Sequence, residues 1–256
     1  MSELAKNIVR VSGDADRVRA FCEAVAGADG SVFSFDAVLP MPQELNVASG
    51  SLADMAYRAA EDASARSWLE HHSWPQEGLS ADLSYLLDGE ADPRSYEDAL
   101  ALGALLRENE EKYGARDWSG WRTEHWGSEW DAVYTEAAPI PGGMQFSFET
   151  PWRAPVPVLW RLAELFPDLT LSGLWAGEAR GKSAGGWSHL PGQPFALGVM
   201  EEDSPAAKAF AALLWEGDPA EAFDGFAAAF AQRMAAPEEE GPLPGGWERL
   251  ALSALE

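Results

Sequence analysis

The sequence predicts an α+β protein, a ferredoxin-like split βαβ sheet carrying a helical insertion and C-terminal helices. Three observations predict it. Short β-branched and aromatic runs alternate with helix-period runs near the N-terminus and again after Trp118. The stretch between them has helical periodicity alone, and from Ser204 onward the pattern is helical once more. These features divide the 256 residues into an α+β domain over 1–200, interrupted by a helical insertion at about 46–118, and a helical extension over 201–256.

Asn7-Ile8-Val9-Arg10-Val11-Ser12 reads as the first strand, closed by Gly13-Asp14. Between Asp14 and Ala26, the residues Val18, Phe21, Cys22 and Val25 recur at helical spacing, with Asp14 as N-cap and Gly27 as stop. Val32 to Leu39 alternates like a second strand and ends at Pro40-Met41-Pro42. Ser51 to Glu70 reads as one helix, with Leu52, Met55, Ala56, Ala59, Ala60 and Ala63 on a single stripe. A second middle helix runs from Ser95 to Tyr113, with Ser95 as cap, Asp98 three residues on and Gly114 after its end.

Strand character returns in Asp131 to Glu136, and Pro141-Gly142-Gly143 then joins it to Met144–Thr150 as a hairpin. Pro155 to Phe166 is an apolar helix stopped by Pro167. Leu169–Trp175 and Phe195–Met200 read as further strands. Helices are expected over Pro205–Trp215, Pro219–Met234 and from Gly246 to the end, with Pro237–Pro242 as a linker.

Composition narrows the function classes. Hydrophobic residues make up 46% and charged residues 23%, ordinary values for a globular chain. At this length roughly three quarters of the unfolded surface can be buried, so no disulfide or metal staple is needed. The charge is not ordinary: 42 acidic against 18 basic residues give a formal net charge of -24. Binding to phosphate backbones or anionic membranes needs a surplus of Lys and Arg, so neither direct nucleic-acid nor membrane binding is expected. Such a charge keeps a chain soluble and attracts basic partners. It also fits a generally acidic, high-salt or high-GC proteome, and the high-GC version agrees with Lys6, Lys112, Lys182 and Lys208 being the only lysines and with abundant Ala. With no signal-like N-terminus and no apolar run of about 18 residues, the expected compartment is the cytoplasm.

The family-like signals come from four segments: Asn7 to Gly13, Phe33 to Leu45 (FSFDAVLPMPQEL), Trp121 to Asp131 (WRTEHWGSEWD) and Phe148 to Gly186. Together they resemble the YubB-type proteins carried by phages and plasmids. That resemblance covers most of the first 190 residues and implies a ferredoxin-like domain without a settled function. His125 and Glu129 stand where the family usually has Asn and Lys, and the family's N-terminal Trp-Cys signature is absent.

No catalytic constellation, metal site or cofactor is expected. Ala176-Gly177-Glu178-Ala179-Arg180-Gly181-Lys182-Ser183 matches a permissive phosphate-loop pattern. A working one opens into a helix, and Ala184-Gly185-Gly186-Trp187 with Pro191 opposes that, so a hairpin turn is expected. His71, His72, His125 and His189 lack metal-ligand spacing, and Cys22 is the single cysteine, set on an apolar helical stripe. Asp88, Glu90 and Asp92 alternate like a calcium loop, but Pro93 stands where Gly is needed and Ala99 where Glu is. No Gly-x-Ser-x-Gly elbow occurs.

The 12 tryptophans are the stronger signal. Trp118, Trp121, Trp126 and Trp130 crowd one strand approach, and Trp152, Trp160, Trp175 and Trp187 follow. They make either a Trp-rich core or an aromatic cleft. On the cleft reading the ligand- or partner-binding residues are Trp126, Gly127, Trp130, Asp131 and Trp152, with Arg180 and Lys182 in the Gly-rich turn.

The leading functional expectation is a non-enzymatic accessory protein of phage or mobile-element type. It would bind a host protein, as an acidic nucleic-acid mimic or anti-defence factor. Small-ligand capture of a nucleotide or sugar in the Trp cleft is the alternative, and an enzyme the third. On the core reading Trp130 packs on the Pro155–Phe166 helix as a keystone, and Trp130→Ala should lower the melting temperature by many degrees.

Overall fold

Strand β1 (Leu4–Ser12) is buried on both faces and hydrogen-bonded on both edges, so the fold is built around it. The computed structural model describes residues 3–217, 222–223 and 247–249. β1 pairs antiparallel with β3 (Gly143–Pro151) on one side and with β4 (Thr170–Gly177) on the other. β2 (Val133–Ile140) continues the sheet beyond β3, while β5 (Ala184–His189), β6 (Ala196–Met200) and β7 (Trp247–Arg249) continue it beyond β4. The order is β2-β3-β1-β4-β5-β6-β7, and every neighbouring pair is antiparallel. Helices lie among these strands, so the protein is of the α+β class.

Each face of the sheet has its own cover. On one face α1 (Ala15–Val25) and α7 (Val156–Leu165) meet an aromatic core. Phe21 contacts Phe146 and Phe166, while Phe33 stacks on Phe148 at 4.7 Å. α8 (Pro205–Glu216) packs on the other face, where Ile8, Leu174, Ala176, Ala184 and Met200 meet Ala207, Ala211 and Leu214. At Gly185 even a Cβ would collide with the ring of Trp175, so glycine there lets the indole lie flat on the next strand.

The chain divides into two compact units, one of residues up to Leu39 and from Trp126 onward, the other Pro40–His125. The second unit is helical, with α3 (Ser51–Arg58), α4 (Ala63–His71), α5 (Tyr96–Tyr113) and α6 (Trp118–His125). Its core is Ala53, Ala56, Leu69, Leu86, Leu102 and Leu106. Ser95 caps α5 by accepting from the Asp98 N–H, and Gly114 closes it in the left-handed conformation.

Three expectations fail. Val32–Leu39 is not a strand: Phe33 and Phe35 are buried as alternation suggested, but Phe35–Val38 is one helical turn, α2. Ser51–Glu70 is not one helix, because the Asp62 carboxylate accepts from the N–H groups of Ser64 and Ala65 and starts a new one. Trp247–Arg249 is a strand rather than part of a terminal helix. The expected helix Pro219–Met234, apart from residues 222–223, and the linker Pro237–Pro242 lie outside the described residues. Among the described residues no helix is long and apolar enough to cross a membrane.

Asp98 is the polar centre of the second unit. Fully buried, it accepts from the Ser80 N–H (2.8 Å), the Ser80 hydroxyl (2.6 Å) and the Tyr85 hydroxyl (2.8 Å). Burial alone would raise its pKa, but the hydrogen bonds from Ser80, Tyr85 and Ser95 outweigh that and hold it below the ordinary carboxylate value. A carboxyl lowered on folding stabilises fully above its unfolded pKa, about 4, and loses that contribution as pH falls through the folded value. Asp98→Ala is therefore expected to cost about 2–3 kcal/mol in denaturant unfolding at neutral pH. The difference from the parent should shrink below pH ~4. A pH-independent difference would contradict this account of Asp98.

Candidate functional site

The segment from Trp126 to Asp131 enters β2 and holds four of the seven residues expected to bind. Trp126 is fully buried, donates its indole N–H to the Leu39 carbonyl at 2.9 Å, and sits edge-on to Phe35 at 5.9 Å. Gly127 follows in the left-handed region (φ +75°), and a Cβ there would lie 3.0 Å from Pro157 Cδ at the start of α7. The left-handed backbone favours glycine there, and the tight approach to Pro157 adds to that preference.

Asp131 serves the fold directly. Its carboxylate accepts from the Ser34 hydroxyl (2.7 Å), the Phe35 N–H (2.6 Å) and the Ala132 N–H (2.7 Å). It thus satisfies the first amide of α2 from a point 96 residues further along the chain. Ser34 adds its own cap by accepting from the Ala37 N–H. Together these bonds explain why Phe35–Val38 turns instead of extending.

Trp130 does not behave as expected. It is 41% exposed and is no keystone under the Pro155–Phe166 helix. The fully buried indole belongs to Trp126, four residues earlier. The reason is local: after the left-handed Gly127, the Ser128 hydroxyl donates to the Trp130 carbonyl, a tight turn that breaks strand alternation before β2 begins.

Trp152 closes the opposite strand. It directly follows β3, donates its backbone N–H to the Glu3 carbonyl (2.9 Å), and is 54% exposed with φ +66°. Val133 pairs with Glu149, so Trp130 and Trp152 each lie three residues beyond that pair, at the same end of the sheet. Tyr134, which the sequence did not single out, lies near the start of β2 at φ +52° and 74% exposure. The β2/β3 register shifts between Val133 and Glu136, and this bulge re-aims Tyr134 outward. A bulge is set by pairing across strands, so the sequence carried no signal for it.

Arg180 and Lys182 lie in a different place. β4 ends at Gly177 and β5 starts at Ala184, so the phosphate-loop-like run closes a hairpin, as its sequence context indicated. Arg180 pairs with Glu216, and Lys182 with Glu202 (3.1 Å) and Asp203 (2.6 Å). The Asp203 hydrogen bond, with that of Glu202, raises the Lys182 pKa. These cations fasten the hairpin to the start and end of α8. Among the described residues no group of three or more His, Cys, Asp or Glu side chains could hold a metal ion. Burial pushes the half-buried Cys22 thiol upward, away from the thiolate a nucleophile needs.

The tryptophans thus divide. Trp121, Trp126, Trp175 and Trp187 are core, and Trp68, Trp130, Trp152 and Trp160 are exposed.

No protein-family model matches the chain, and no curated protein matches it. Among solved structures it is similar to the crystal structure of the protein api92 from Yersinia pseudotuberculosis, of the family DUF1281. The two share 11% identity over 74% of this chain and 94% of that chain, with a TM-score of 0.34, a likeness too slight to bear on fold or function.

The division between core and surface is directly testable. Trp126→Ala should cost about 3–5 kcal/mol in denaturant unfolding, as expected for a buried indole. Trp130→Ala should cost under about 1 kcal/mol. The reverse order of the two would show that the buried and exposed indoles have been assigned the wrong way round.

Proposed function

We propose that this protein acts without catalysis, as a phage- or plasmid-type accessory protein. It occupies a basic, nucleic-acid-binding surface of a host protein in the cytoplasm, presenting carboxylates where phosphates would lie, and so serves as an anti-defence factor. The observation that carries this reading is the net charge of -24. Its cations are also heavily engaged: Arg17 with Asp168, Arg58 with Asp62, Lys112 with Glu44, Arg161 with Glu164, and Lys182 with Glu202 and Asp203. A surface of this kind steers cationic partners toward it and repels polyanions.

The fold belongs to the same proposal. The connection β1-α1-β2-β3-α7-β4 with spatial order β4-β1-β3-β2 supports a ferredoxin-like split βαβ unit, extended by β5 to β7. That unit is the one expected of YubB-type proteins, and kinship with them is the origin proposed here. Small-ligand capture draws less support. Trp126 is consumed by the core, and Arg180 and Lys182 by ion pairs.

Capture of a host protein on the immobilised chain, followed by affinity measurement of the purified pair over a salt series, tests this reading. The affinity is expected to fall steeply as ionic strength rises. An affinity indifferent to salt would refute charge mimicry.

A further inference from the structure

The two sides of the sheet end in strands of different character. β2 carries its own protection against pairing with another chain: Pro139 lacks an N–H, Glu136 is charged, and the register slips between Val133 and Glu136. β6 has none of these devices. Ala196-Leu197-Gly198-Val199-Met200 contains no proline and no charge, and its register with β5 runs unbroken from Ser188↔Ala196 to Gly185↔Val199.

β6 is also anchored through both of its faces. Met200 belongs to the core under α8, while Leu197 lies opposite Trp187 in the β5/β6 register. A straight apolar strand held in this way is a ready template for another strand, since its edge N–H and C=O groups still need partners. In the folded chain β7 supplies them, pairing Trp247, Glu248 and Arg249 with Met200, Val199 and Gly198. So short a strand gains few hydrogen bonds against the backbone freedom it gives up. Among the described residues, Ala196 and Leu197 have no partner on that edge.

We propose that β7 is a releasable strap guarding the β6 edge, and that the bared edge pairs with the β6 edge of a second copy. Two such strands meet antiparallel about Gly198, in an isologous contact that sets Ala196 opposite Met200. In that register Glu201 and Glu202 fall opposite Phe195 and Pro194, so the contact brings no carboxylates face to face. The net charge of -24 still repels one copy from the other. Dimerisation through β6 therefore strengthens as salt screens that repulsion, the reverse of the salt dependence expected for a basic partner.

Sedimentation velocity on the full chain, over a range of concentration and salt, tests this. Proline removes a backbone donor, and along a strand the N–H groups alternate between its two edges. Glu248→Pro and Trp247→Pro/Arg249→Pro therefore strike opposite edges of β7, and only the variant losing donors aimed at β6 should release the strap. The parent and the other variant are expected to stay monomeric. The released variant should dimerise at least about tenfold more tightly than the parent, and more tightly still at high salt. A free peptide of residues 244–252 should return it to monomer and, if it melts early, restore its melting temperature. Two monomeric proline variants, two that associate alike, or a dimer that the peptide leaves intact would each overturn the proposal.

Discussion

The carboxylate of Asp131 is the constraint on which the sheet unit depends. With Ser34, Phe35 and Ala132 as donors, it joins the residues before β2 to those after α1. That join turns Phe35–Val38 into α2 and delivers Phe33 and Phe35 onto Phe148, at ring separations of 4.7 and 5.6 Å. Trp126 closes the same corner from above Leu39. A charge-assisted bond to a helix-starting amide is stronger than a neutral one, and here it also satisfies a donor that the core would otherwise leave unpaired.

The same corner separates structure from surface within six residues. Trp126 and Asp131 are spent on the fold, and the turn between them releases Trp130 to solvent. Trp152 and Tyr134 are exposed where β3 ends and where β2 bulges.

Much of this was legible in the sequence, and what was not has particular causes. The Asp14 and Ser95 caps, the Gly114 stop, the Pro141-Gly142 turn and the apolar period of α7 are local signals, and each placed its element to within a few residues. The α2 turn reads as a strand because its cap comes from Asp131, far along the chain. Period-2 burial of Phe33 and Phe35 mimics a strand when a tertiary cap bends the backbone. Ser51–Glu70 reads as one helix because its apolar stripe runs on across the Asp62 cap. In the Trp-rich segment, spacing alone could not tell Trp126 from Trp130, since the choice is made by Gly127 in a left-handed turn and by its contact with α7.

Amide hydrogen exchange at Phe35 tests the central role of Asp131 most directly. In the parent the Phe35 N–H should exchange as slowly as the β1 core amides, because its acceptor is the Asp131 carboxylate. In Asp131→Ala that amide should exchange through local opening, at least about tenfold faster, while the β1 amides speed up only by the factor that the loss of overall stability sets. A Phe35 amide that exchanges at open-loop rates in the parent, or is unaffected by the substitution, would contradict the account.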